Sequence, residues 1–388
     1  MTHRPAASIL ILTAIIILAL PAKGQQIVNP KSDDAHVTLG AALARKGDLD
    51  GAIAEYREAL RLNPRNEHAH ANLGKALAKK EDWDGAIAEF RAALRLNPKN
   101  EDAHYNLGIA LASKGDWDGA IAERREVLRL NPKNENAQVE LGRALGHKGD
   151  WDGAIAEERE AQGLNPRNVD AHVILGLALE MKGDWDGAIA EEREALRLDP
   201  NNEDAHFVLG LALDGNGDWN GAIAEYRETL HLNPRNPEAH LDFGRALTNK
   251  GDWDGVIVEE RAALRLNPTK AHAHDLLGIG LEMKGDLDGA IAEYREALRL
   301  DPNADAVHVN LGVALTKKGD DKGAIAEERE ALRLNPNNEK AHYLLGMALE
   351  RKGNYEAALG EYRAAHELAP QNPIFREGYE RLSKRVNH

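Results

Sequence analysis

Apolar and polar positions along this chain follow the period of an amphipathic helix, broken at short regular intervals. From Asp33 to Asn66, the residues His36, Leu39, Gly40 and Leu43 fall at i, i+3, i+4 and i+7, one face of an α-helix. Gly47 ends that helix, because glycine accepts the left-handed conformation past a C-terminus at little cost. Asp48 or Asp50 caps a second helix, whose buried stripe is Ala52, Ile53, Tyr56, Ala59 and Leu60. Asn63-Pro64 stops it, since proline disfavours helical geometry in the residue before it. Asn66 is then placed to cap the next helix. The pattern predicts helix, turn, helix, turn.

The same 34 residues recur in phase. Proline returns at Pro64, Pro98, Pro132, Pro166, Pro200, Pro234, Pro268, Pro302, Pro336 and Pro370. Glycine returns at Gly40, Gly74, Gly108, Gly142, Gly176, Gly210, Gly244, Gly278, Gly312 and Gly346. Ten units over residues 33–372, without insertion or deletion, mean one module stacked on copies of itself. Such an array leaves no obvious place for a catalytic site. Gly40 and Ala52 carry little or no side chain, so the paired helices are expected at the short end of about 8–10 Å. Local departures are readable too. Ser32 caps the first unit, Lys270 and Ala304 cap badly, and Glu81 replaces a turn glycine and implies strain. Asn372 and Pro373 open a last helix with apolar Ile374, Phe375, Tyr379 and Leu382, so residues 373–388 read as a capping helix.

A 34-residue helix-turn-helix with Leu-Gly in the first helix, Ala early and again later in the second, and a terminal Pro resembles the tetratricopeptide repeat. The resemblance implies an all-α, right-handed α-solenoid (superhelix), with first helices lining a concave face and second helices outside. Two framework aromatics depart from it. The one in the first helix is His in nine units (His36, His70, His104, His172, His206, His240, His274, His308, His342) and Gln138 in the tenth. The one in the second helix survives as Tyr56, Phe90, Tyr226, Tyr294 and Tyr362, and elsewhere becomes Arg124, Glu158, Glu192, Glu260 and Glu328. Those charges are expected to reach water over an apolar stem, leaving looser or wetter joints.

Charge and composition narrow the partners. A net charge of −15 argues against nucleic acid, whose binding rests on cations neutralising phosphates, and against simple docking on anionic lipid. Cysteine is absent and only Ser8, Ser32, Ser113 and Ser383 occur, so disulfides, thiolate metal sites and cysteine nucleophiles are excluded. Ahead of the array, His3 and Arg4 precede an apolar run from Ile9 to Leu20, Pro21 breaks it, and Ala22 and Gly24 offer a cleavage site. Residues 1–24 therefore read as a secretory signal peptide, with an uncleaved anchor over residues 6–22 as the alternative. The expected location is exported, periplasmic or extracellular. Residues 25–32 keep the register at Asn29-Pro30 and read as the remnant of a truncated unit.

One His per unit cannot meet its neighbours around a zinc ion about 2 Å from each ligand, so packing is the reading. The D-x-D-G strings, from Asp48–Gly51 to Asp286–Gly289, enter a helix at once and lack the further ligands of a calcium loop, so both aspartates read as caps. Trp83, Trp117, Trp151, Trp185, Trp219 and Trp253 share one phase. They read as cover for the second helix, with an exposed binding ladder as the alternative. The Glu/Arg-rich second helices form a solvated face. No Ser-His-Asp set, phosphate loop or redox motif is present; neither catalysis nor a cofactor is expected.

The informative signal is where the units differ. By family geometry, two first-helix phases face the groove. The expected site residues are Tyr105, Val139, Val173, Phe207, Leu241, Val309 and Tyr343 in one, and Lys75, Ile109, Arg143, Leu177, Leu211, Arg245, Ile279, Val313 and Met347 in the other. They draw an apolar strip with three cations, suited to a protein or peptide partner. The family's clamp for the acidic C-terminus of heat-shock chaperones needs Lys in the first phase and Asn in the second, and neither is present. A non-catalytic scaffold is the expected function. The alternatives are a structural subunit of a bacterial pilus, secretion or polysaccharide-export assembly, and a substrate-holding arm for a transferase on a separate chain. Oligomeric state is left open by the sequence.

Overall fold

A computed structural model describes residues 32–386. The expected leader (1–24), the lead segment up to residue 31 and residues 387–388 lie outside the described residues. Among these, twenty-one α-helices of 13 or 14 residues make ten hairpins and one terminal helix, Pro373–Val386. The hairpins are numbered here as repeats 1 to 10, each 34 residues from Asp33 onward. Repeat 1 is Asp33–Arg45 with Leu49–Leu62, and repeat 10 is Glu339–Arg351 with Tyr355–Leu368. No described helix is long and apolar enough to cross a membrane.

The chain divides into two compact units. One runs to Lys148 and holds repeats 1–3 and the first helix of repeat 4, Glu135–His147. The other starts at Gly149 and holds the second helix of repeat 4, Trp151–Leu164, then repeats 5–10 and the terminal helix. The division falls in the repeat where neither framework position holds a ring, Gln138 and Glu158.

Helix ends follow the side chains. Asn66 accepts from Ala69 N at 2.9 Å and Asp48 from Gly51 N at 2.9 Å, each satisfying an otherwise orphaned donor. Ser32 caps the first helix, whereas Lys270 and Ala304 make no side-chain cap. Only the first aspartate of each D-x-D-G string caps. The second reaches a lysine of the following repeat in six of the seven strings, as in Lys80–Asp50 at 2.5 Å, Lys114–Asp84 at 3.2 Å and Lys284–Asp254 at 2.9 Å; for Asp186 the residue in that register is Asn216 instead. Nine of the turns between paired helices hold glycine at φ 77 to 85°, and the tenth holds Glu81 at φ 62°. That is the strain its side chain implied.

Paired helices meet at the first-helix glycine. A Cβ on Gly278 would stand 2.5 Å from the Tyr294 ring, so only glycine admits the second-helix side chain. A second tie crosses the same hairpin. In nine repeats the first-helix His points Nδ1 at a Glu nineteen residues on, at 2.5–2.7 Å, from His36–Glu55 to His342–Glu361. In repeat 5, His172 donates from Nδ1 to Glu191 at 2.6 Å and from Nε2 to the Pro166 carbonyl at 3.1 Å. Two acceptors require both ring nitrogens to carry hydrogen. The Glu191 bond accordingly raises the His172 pKa, and the same bond lowers that of Glu191.

The polar replacements of the second-helix aromatic do not reach water. Arg124 is 2% exposed, Glu328 1%, and Glu158, Glu192 and Glu260 0%. The expectation of wet joints fails because this position lies across the glycine, with no route to solvent for a longer stem. The Glu192, Glu260 and Glu328 carboxyls have no hydrogen-bond partner. Burial, aided by Glu259, Asp242 and Asp275, pushes Glu260 up to about 9. Burial likewise pushes Glu328 to about 9 against the pull of Lys340, and Glu192 well above the carboxylate range beside Glu191 and Asp204. Glu260 and Glu328 therefore favour the neutral form at pH 7, and Glu192 is shifted in the same direction. The terminal helix buries Phe375 and Leu382 and stacks Tyr379 on His366, but Ile374, expected to cover the last repeat, is 57% exposed.

Two outcomes follow. Replacing Glu81 by Gly removes a left-handed side chain and should stabilise the array by about 1 kcal/mol, read as a higher urea midpoint; an unchanged or lower midpoint refutes the strain. For the glutamates, the native state keeps a proton that the unfolded chain releases above about pH 4.5. Stability therefore falls as pH rises from about 4.5 to about 9, by on the order of 1.4 kcal/mol per pH unit for each carboxyl. His172, raised above 6.5, adds a loss of the same sign. The Glu192→Gln, Glu260→Gln, Glu328→Gln triple variant should lose most of this slope between pH 5.5 and 8. Equal slopes for the two proteins would show that the carboxyls do not hold their protons.

Candidate functional site

Within each unit, first helices of successive repeats touch one another in most neighbouring pairs, and second helices make no comparable contact. The first helices therefore lie on the inner side, where the two varying phases were expected. The structure splits the expected site residues into three groups.

Ile109, Arg143 and Arg245 are exposed, while Lys75, Tyr105, Leu177, Phe207, Leu211, Ile279, Val313, Tyr343 and Met347 are half-buried. Val139, Val173, Leu241 and Val309 are buried, and their place in a binding strip is corrected. Val173 packs on Ala195, Ala205 and Val208, Leu241 on Ala263 and Ala273, and Val309 on Ala331 and Ala341. The alanines of the following joint are small enough for this phase to sink between repeats. Tyr343 is taken by the terminal helix, its ring 5.0 Å from Phe375. In the second unit, Phe207 and Leu211 lean on the core of repeats 5–7 but keep a solvent-facing side.

The three cations of the strip already have partners. Lys75 stands 3.4 Å from Asp102 and Arg143 3.6 Å from Glu140. Arg245 sits 3.0 Å from both Asp214 and Asp242. Burial outweighs Arg245 at Asp242 and holds that carboxyl up to about 6. Asp275, which accepts from Asn310 at 3.0 Å, and Glu180 are raised by burial too. Glu282 accepts from Tyr294 Oη at 2.9 Å and from Lys317 at 2.7 Å. At the corresponding place Asp214 is one methylene shorter, and the buried Tyr226 hydroxyl makes no hydrogen bond. Arg245 lies near it.

Sequence reasoning missed these acids, although a signal existed. A third first-helix phase varies as Ala44, Ala78, Ala112, Gly146, Glu180, Asp214, Thr248, Glu282, Thr316 and Glu350. It turns acidic only in the second unit, whose inner face thus carries Glu180, Asp214, Asp242, Asp275 and Glu282 around one exposed arginine. Four of the six tryptophans pack between repeats, Trp83 and Trp253 against apolar clusters. Trp117 stacks on His147 with centroids 4.0 Å apart, and Trp185 covers Gly215. Trp219 alone of the six is exposed, at 42%. Each of the nine framework histidines faces its own glutamate, and no three His, Asp or Glu side chains among the described residues converge on one metal position.

Known proteins share this architecture. A family model described as TPR repeat matches residues 40–81, 74–115, 283–319 and 314–353. Two described as tetratricopeptide repeat match 116–167, 139–203 and 207–271, and 339–372. None of these describes an enzyme. Comparison with curated proteins finds no match. Among solved structures, a tetratricopeptide repeat protein from Parabacteroides merdae aligns with TM-score 0.55 at 17% identity, covering 64% of this chain and 98% of its own. Yeast Tom70 aligns with TM-score 0.43 at 16% identity over 92% of this chain and 96% of its own. PilF of Pseudomonas aeruginosa aligns with TM-score 0.48 at 21% identity over 55% and 98%. The first of these shows a likeness of fold. Repeat after repeat matched along most of its length, the chain belongs to the tetratricopeptide repeat family.

Proposed function

We propose that this protein is a non-catalytic scaffold that holds a segment of another protein against its inner first helices. One observation carries the reading. One varying first-helix phase, from Lys75 to Met347, stays half-buried or exposed on the inner side, while the recurring glycines and alanines behind it are buried. Constancy where packing demands it and variety where solvent reaches is what a recognition surface built on a fixed frame would have. In the second unit the strip of Leu177, Phe207, Leu211, Ile279 and Val313 supplies the apolar contact. The acids beside it favour a segment that is apolar with basic residues. A preordered frame loses little entropy on binding, so a modest groove suffices. The leader reading makes this an exported scaffold.

Peptides selected from a random library on the full array provide the test. Leu211→Glu and Ile279→Glu should each weaken the selected peptides about tenfold or more. Val258→Glu, on a second helix and 60% exposed, should change affinity less than about twofold. The reverse ranking would move recognition to the outer helices. For the exported form, N-terminal sequencing should begin at Gln25; a start at residue 1 or 2 would leave residues 6–22 as an anchor.

A further inference from the structure

Repeat 3 breaks the pattern of its neighbours in a way that creates a ligand-sized space. Its second helix, Trp117–Leu130, carries Arg124 where other repeats place an aromatic ring or a carboxyl over the glycine. The guanidinium is nearly sealed from solvent, at 2% exposed. It lies against Gly108, under the Tyr105 ring at 4.3 Å. An arginine has five N–H donors, and here Nη1 donates to the Tyr105 carbonyl at 2.5 Å. The nearest carboxylate, Glu140, stands 3.9 Å from Nη2, beyond hydrogen-bond reach. A buried cation so poorly matched with acceptors is costly, and an added anion would relieve it.

Beside it opens a cleft of about 270 Å³ walled by Ile109, Ala112, Trp117 and Ala144, with Arg124 on its floor and Arg143 at its rim. This is smaller than the roughly 300–1,000 Å³ of sites for drug-sized molecules, so it suits a single side chain. Apolar walls above a buried guanidinium fit an aliphatic stem ending in a carboxylate. Glu140 lies between the two arginines, 3.6 Å from Arg143 Nε and hydrogen-bonded to neither, so it competes weakly.

We propose that this cleft seats the carboxylate of a Glu or Asp side chain from the bound protein segment, held by Arg124 with Arg143 at the mouth. The source of the carboxylate rests on the groove reading above; the cleft itself does not. The probe is propionate, a carboxylate on a short aliphatic stem, with propionamide as its neutral match. Indole N–H signals of the full array are followed by NMR, with the Trp117 signal assigned from Trp117→Phe. Propionate should move that signal saturably in the millimolar range and propionamide should not. Arg124→Tyr installs the residue found there in repeats 1, 6, 8 and 10, so the hairpin keeps its frame while the cleft fills, and it should abolish the response. Arg143→Gln should weaken it and Glu140→Gln should strengthen it. No saturable shift, an equal response to propionamide, or an undiminished response in Arg124→Tyr overturns the proposal. Among library-selected segments, replacing the acidic residue by Gln should weaken binding about tenfold in the wild type and not in Arg124→Tyr. Propionate binding with selected segments that need no acid would give the cleft to a free small carboxylate and overturn the assigned source. Loss of all segment binding with propionate binding retained would sink the groove reading instead.

Discussion

The close approach of two helices at a residue without a side chain governs each repeat. Because the first-helix glycine has no Cβ, the residue opposite it on the second helix lies flat across the neighbouring backbone and is closed off from water. Tyrosine and phenylalanine suit that slot, since a ring fills it with apolar surface. Glutamate and arginine fill it at the expense of solvation, and the protein answers in two different ways. The glutamates keep a proton and become neutral. Arginine cannot lose its charge at ordinary pH, so it takes a carbonyl and a ring face and leaves space beside it. One geometric constraint thus accounts for the tight hairpins, the proton-linked stability and the cleft in repeat 3.

The overall negative charge is misleading about the inner side. Much of it sits on second helices, where neighbouring Glu and Arg pair locally, as Glu58 with Arg61 and Glu194 with Arg197 do. Such exposed pairs contribute little individually. The inner helices differ between the units. Those of the first unit carry Lys75 and Arg143 against Asp102 and Glu140, with Arg124 of a second helix beside them, while those of the second unit carry five acids and Arg245. Local charge, more than the total, sets which segment each surface prefers.

Much of the frame was legible from the chain. The 34-residue register placed the turns and stops and most caps, including the poor caps at Lys270 and Ala304 and the strained Glu81, because these depend on residues a few positions apart; it misplaced only the second aspartate of each D-x-D-G string, whose partners lie farther away. What escaped were contacts whose partners are distant. The glutamates from Glu55 to Glu361 that fix the histidines lie nineteen residues away, inside Glu/Arg runs that read as solvated surface. The burial of Glu192, Glu260 and Glu328 escaped because residue type was allowed to outweigh register. Five aromatics at the same phase already marked the slot as closed.

The binding strip was legible only in part, for a related reason. Val139 and Ile109 belong to adjacent phases of the same helix face, yet one is buried and the other exposed. Helical periodicity assigns a direction but not a depth. Depth is set by the following repeat, where alanine at the joint lets the phase of Val139, Val173, Leu241 and Val309 sink. The phase one turn further on packs one side on the core and keeps the other in solvent. Variation between repeats therefore mixes two causes, recognition and the fit of successive joints, and only burial separates them. Where burial and variation point the same way, as at Leu211, Ile279 and Arg143, the residue is free to answer to a partner.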